Sequence, residues 1–179
     1  MTSINSVLGP IDSSELGFTL MHEHVMISAS GLSRHYPALL GPNKEARAIA
    51  RLKKAKAAGI RTMLDATTFD LGRDPELLKE VSKGSGVNLI NVTGWWLDVP
   101  RFLQGVGPDQ MADEFVKDIQ EGFRGTNINA GMLKCAADFE GVTRPLEDYG
   151  ESCCRSSTTN RGSDHGSLIS HWACCEETN

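Results

Sequence analysis

The sequence is defined first by what it lacks. No run approaches the about 18 consecutive apolar residues of a membrane span, which argues against a transmembrane protein. Met1 to Glu15 is polar and has no apolar core of a secretory leader, so the expected compartment is the cytoplasm. Lys and Arg nowhere form a stripe interleaved with aromatics, and the net charge is −5, so nucleic acid is not an expected partner. The basic stretch Arg51, Lys53, Lys54 and Lys56 reads instead as the solvated face of a helix. Asn91-Val92-Thr93 fits a glycosylation sequon, but its apolar, strand-like setting marks it as chance. Of the five cysteines, Cys135 stands alone in an apolar stretch and reads as a core residue. The others form the adjacent pairs Cys153-Cys154 and Cys174-Cys175, without the C-x₂-C spacing of a zinc knuckle.

What is present is a chain of 179 residues, 40% hydrophobic, enough for one domain with a real core. Through about Glu147 strands and helices alternate. Strands are expected over Phe18–Val25 (buried), Ile60–Thr67, Val87–Gly94 and Ala130–Ala136. A helix is expected over Asn43–Ala58, with Ala48, Leu52 and Ala55 on one face and Gly59 ending it. A second starts at Asp74-Pro75-Glu76, where Asp is the N-cap, Pro the first helical residue and Glu part of the first turn. Leu77, Leu78 and Val81 then face the core. A third covers Asp109–Phe123, aligning Met111, Phe115 and Ile119.

The order βαβαβαβ predicts a parallel sheet with helices outside. Four such units match half of a (β/α)₈ TIM barrel, a fold of about 250 residues. A doubly wound open sheet is the alternative, disfavoured because no Gly-rich phosphate loop follows the first strand. Residues 1–147 are therefore expected to form the N-terminal half of an α/β TIM barrel, and 148–179 an irregular tail.

In such barrels chemistry sits at the strand C-termini. There the sequence places His22 and His24, Asp65, Thr67 and Thr68, Trp95 and Trp96, and Lys134. In a strand, residues two apart share a face, so His22 and His24 point the same way and suit a divalent metal. Lys134 interrupts the apolar run Met132 to Ala136. It is either a snorkelling or carboxylate-paired lysine, or one whose amine burial keeps neutral and open to carbon dioxide. No Ser or Cys nucleophile with a plausible base is visible. His35 reads as a loop or packing residue, and Asp65 as structural rather than as a ligand.

Several stretches resemble the phosphotriesterase family of metal-dependent hydrolases. They are Val7-Leu8-Gly9-Pro10-Ile11, Leu16-Gly17, Thr19 to His24, Thr68 to Asp74, Thr93-Gly94-Trp95-Trp96 and Ile128 to Asp138. The resemblance runs in order over residues 7 to 147. It implies a TIM barrel with two divalent metal ions, zinc by preference. It implies His22 and His24 as ligands of the buried metal, Lys134 as a bridging carbamate formed with carbon dioxide, and Trp95 and Trp96 along the substrate pocket. Plain packing is the other reading of the two tryptophans. The implied substrate is a small-molecule ester, either a phosphotriester or a lactone. Thr68 to Asp74 and the tryptophan loop resemble the organophosphate hydrolases, while Gly141-Val142-Thr143 resembles the lactonase branch. A homodimer is implied for a full-length form, with no nucleic-acid or membrane partner.

The family takes further metal ligands from later strands: histidines on the fifth and sixth, an aspartate on the eighth. Here Asp148 to Asn179 is rich in Ser, Thr, Cys and Gly without an apolar period, which reads as unstructured. A frame shift near Glu147 accounts for this. Gly162 to Leu168, back-translated as GGT TCC GAT CAT GGT TCA CTC and read one nucleotide later, gives Val-Pro-Ile-Met-Val-His-Ser, a buried strand ending in histidine. A Cys/His metal module built on Cys153, Cys154, His165, His171, Cys174 and Cys175 is the rival, disfavoured because adjacent cysteines chelate one ion poorly. Two histidines and one lysine do not complete two metal shells. The sequence thus leaves two readings: an active hydrolase, or a non-catalytic half-barrel fragment with weak metal binding. The second is the expectation.

Overall fold

The computed structural model describes residues 2–96, 103 and 105–135. The expected tail, 148–179, and the lactonase-like run Gly141-Val142-Thr143 lie outside them. A hairpin comes first, β1 (Ser3–Ser6) against β2 (Gly9–Asp12), antiparallel. Then follow β3 (Thr19–Glu23), the short α1 (Leu32–His35), α2 (Lys44–Ala57) and β4 (Thr62–Asp65). The chain continues through α3 (Pro75–Ser85), β5 (Asn88–Gly94), α4 (Pro108–Gln120) and β6 (Met132–Lys134). The four strands β3 to β6 pair in chain order, each parallel to the next. A doubly wound sheet would reverse its order at a switch point. This one keeps a single direction and curls into a half-barrel.

The helices form where expected, for the expected reasons. Asp74 caps α3: its carboxylate accepts from the Leu77 N–H at 3.1 Å, with Pro75 opening the helix. Gly59, at φ +100°, follows the end of α2. Leu52, Leu77, Leu78, Val81, Ile119 and Phe123 pack with Met63 and Leu89 in the core between sheet and helices. The opposite side chains of the same strands, Leu64, Ile90 and Val92, form a second core on the barrel interior with Ile4, Leu16 and Met132. This two-sided burial is why β4 and β5 read as near-continuous apolar runs.

Two findings depart from the sequence reading. The first strand is not buried: Met21, His22 and Glu23 are exposed, and Met21 is 60% so. It is an edge of the described sheet, paired on one side only. The other finding is the hairpin. The Val7 N–H donates to the Leu89 carbonyl at 2.9 Å, and the Asn5 amide donates to the Ala130 carbonyl at 3.1 Å. The polar N-terminus therefore closes the strand N-termini. Gly131 makes room for it: a Cβ there would lie 2.3 Å from the Asn5 carbonyl oxygen and 2.6 Å from Ile90.

Candidate functional site

The site begins with an irregularity in β3. Leu20 pairs with Met63 and Glu23 with Asp65, so β3 spends three steps where β4 spends two. A bulge of this kind re-aims side chains. Leu20 packs toward the helices with Met63, whereas His22, two residues on, faces the mouth of the half-barrel. His24 follows just past the strand end. The two rings stand 5.5 Å apart at 66°.

Lys134 comes from the opposite edge of the sheet. Neighbouring strands lie about 4.8 Å apart, so β3 and β6 in a flat sheet would be separated by about 14 Å, with side chains pointing in parallel. Here the Lys134 Nζ lies 3.3 Å from the His22 Nε2 and donates to the Ala66 carbonyl at 3.1 Å. The curl of the sheet makes that meeting. His22, His24, Ala66, Trp96, Leu133 and Lys134 line a cavity of about 110 Å³.

The electrostatics keep both imidazoles neutral. The His22 pKa is lowered, first by burial of part of the ring and then by the Lys134 charge, against the opposing pull of Glu23. The His24 pKa is lowered by burial, then by Lys134 and by His22. Neutral imidazole is the form that ligates metals. Beneath them Asp65 is almost fully buried, and desolvation pushes its carboxyl up to about 6 against hydrogen bonds from Thr67 and the Val25 N–H.

The two tryptophans separate. Trp96 lines the cavity, and its N–H donates to Asp70, 3.3 Å from either carboxylate oxygen. Trp95 is not among the cavity's lining residues. It packs with Met111 and Phe115, edge-on to Phe69 at 5.7 Å, beside a second cavity of about 390 Å³. Cys135 joins the same apolar cluster, as a core residue should. His35 sits exposed on α1. Sequence reasoning placed Thr67 at a strand end without a role. In the structure its Oγ1 is 2.9 Å from the His24 Nδ1. Asp70, the anchor of the tryptophan loop, lay inside a quoted motif with no role attached. Among the described residues no group of three or more His, Cys, Asp or Glu converges as a metal cluster, so the nitrogens of His22, His24 and Lys134 are the candidate donor set.

The model of the phosphotriesterase family matches residues 2–154. The chain belongs to that family. A phosphotriesterase homology protein of Mycobacterium tuberculosis is 39% identical over 158 residues, covering 82% of this chain and 48% of that protein. An aryldialkylphosphatase of Saccharolobus solfataricus is 37% identical over 140 residues, covering 76% of this chain and 45% of its own. An N-acetyltaurine hydrolase of Xenopus tropicalis is 27% identical over 160 residues, covering 73% and 46%. This phosphotriesterase-family chain thus spans about half the length of the curated relatives it matches. Among the described residues no helix is long and apolar enough to cross a membrane.

Proposed function

We propose that the chain carries the N-terminal half of a metal-dependent hydrolase site acting on a small-molecule ester, a phosphotriester or a lactone. The observation that carries this reading is the meeting of His22 and Lys134 at 3.3 Å from opposite sheet edges, with His24 beside them. The donor chemistry fits a zinc-type ion: two imidazoles kept neutral, and an amine that carbon dioxide converts to an anionic oxygen ligand. His22 and His24 would hold one ion, and Lys134, as its carbamate, would bridge to a second. The pair would supply Lewis acidity and an activated water. The chain's own groups do the rest. The Ala66 carbonyl orients Lys134, Thr67 orients His24, and Trp96 offers an apolar wall to the organic part of the ester. The hydrolytic names of the aryldialkylphosphatase and the N-acetyltaurine hydrolase support a hydrolase.

The second reading, a non-catalytic half-barrel that binds metal weakly, is favoured by the short donor set among the described residues. One experiment addresses both. The 179-residue chain is titrated with zinc in bicarbonate buffer, then offered an aryl phosphotriester and a lactone. The expected result is zinc binding lost in His22→Ala and His24→Ala, without turnover. Turnover abolished by His22→Ala would favour the active hydrolase. Zinc binding indifferent to both histidines would overturn the site.

A further inference from the structure

We propose that Asp65 and Thr67 are positioning residues that hold His24 in the tautomer with its proton on Nδ1, leaving the Nε2 lone pair free. The inference rests on the reading of His24 as a metal-holding group. It starts from hydrogen counting. The Thr67 hydroxyl has one hydrogen to donate and lone pairs with which to accept. Its Oγ1 is 2.9 Å from the His24 Nδ1. The same residue faces the Asp65 carboxylate, which takes the Thr67 N–H at 2.9 Å and a side-chain hydrogen bond from Thr67 as well.

An ionised carboxylate only accepts. Asp65 is 1% exposed, so water does not satisfy its oxygens, and Thr67 is 2% exposed, so its hydroxyl has few other choices. The hydroxyl hydrogen therefore goes to Asp65. The hydroxyl oxygen is left as an acceptor, and a neutral His24 must donate to it from Nδ1. Nε2 then carries no proton. Partners beyond the first ring of ligands commonly set imidazole tautomer and orientation in this way. Thr67 lies two residues past Asp65 at the end of a buried strand, so this support comes from the rigid centre of the sheet and reaches the edge where His24 sits.

The test is the tautomer itself, read on metal-free protein. The chain is labelled with ¹⁵N at its five histidines and studied at pH 8 by long-range ¹H–¹⁵N correlation, with His24 assigned by its loss in His24→Gln. The expected His24 pattern is a protonated, pyrrole-type Nδ1 and a bare, pyridine-type Nε2. Thr67→Ser should preserve it, and Thr67→Val should shift it toward the other tautomer. A wild-type His24 protonated on Nε2, or a pattern unmoved by Thr67→Val, overturns the proposal. Zinc affinity supplies a second readout: a loss of about 10- to 100-fold in Thr67→Val, restored in Thr67→Ser. The outcomes separate the two ideas. Zinc binding through His22 and His24 without the predicted tautomer removes this inference alone. The predicted tautomer without zinc binding removes the metal-site reading and leaves the hydrogen-bond chain standing.

Discussion

The two central strands and the two edge strands of the sheet are built for different purposes. β4 is buried along its whole length, and β5 is buried from Leu89 to Gly94. Their side chains alternate between the helix-facing core and the barrel interior. β3 and β6 are half-buried at most and have a described neighbour on one side only. Yet the three candidate metal donors come from or just beyond the edges: His22 and His24 at β3, Lys134 at β6. The centre holds the fold together and supplies Asp65, Ala66 and Thr67 as supports. The edges, brought face to face by the curl, supply the reactive groups. A parallel sheet can thus keep its stability and its chemistry on different strands.

The largest expected effect is a loss of stability at the centre. Leu89 on β5 is fully buried in the helix-facing core. Leu89→Ala removes buried methyl groups and leaves a cavity, so it should cost about 2–5 kcal/mol, read as a lower urea midpoint. Leu20→Ala, on β3 and only half-buried, should cost less than about half as much. Equal costs would mean that the edge is as structural as the centre.

A smaller effect tests the place where the centre serves the site. Burial holds the Asp65 carboxyl at about 6 against an ordinary 3.8. The folded chain therefore binds this proton more tightly than the unfolded chain. That contribution to stability is complete below pH 3.8 and is lost as pH rises through about 6. Above pH 6 the buried charge weakens the fold by up to about 3 kcal/mol. Asp65→Asn keeps an oxygen for the Thr67 N–H and removes the charge. The variant should match the wild type near pH 4 and exceed it at pH 7.5, measured by urea unfolding at both. A variant weaker than wild type at pH 7.5 would show that the carboxylate's hydrogen bonds outweigh its desolvation.

Much of this was legible in the sequence because local and global signals agree. The N-cap at Asp74, the stop at Gly59 and the apolar stripe Met111-Phe115-Ile119 each lie within one element, and all three are found. So is the parallel half-barrel, because βα alternation leaves few topologies. What escaped depends on distant partners. The β1–β2 hairpin is polar, and it forms because Leu89 and Ala130, far along the chain, take hydrogen bonds from Val7 and Asn5. The bulge before Glu23 adds one residue to β3 relative to β4, which period-two reasoning within a single strand does not register. Trp95 and Trp96 read as one aromatic pair, yet alternation sends their side chains to different cavities. The histidine pair was readable as a motif; the hydroxyl that orients His24 lies 43 positions away.

The smallest expected effect on stability is at the residue most exposed to the chemistry. His22 is exposed on the edge strand, and its printed polar contact is with Lys134, which also donates to the Ala66 carbonyl. Removing the ring therefore leaves the ammonium its carbonyl partner and opens no buried cavity. At pH 8, where the imidazole is neutral, His22→Ala should change unfolding stability by no more than about 0.5 kcal/mol. The pH dependence carries a definite sign. The folded His22 pKa lies below its ordinary 6.5, so the unfolded chain takes up the proton first, and wild-type stability falls as pH drops below 6.5. Alanine escapes that penalty. The variant should thus draw level with wild type at pH 8 and surpass it at pH 5, as measured by thermal unfolding at the two values. A loss of more than about 1 kcal/mol at pH 8 would place His22 among the structural residues. The edge would then be holding the fold together as well as presenting the reactive groups.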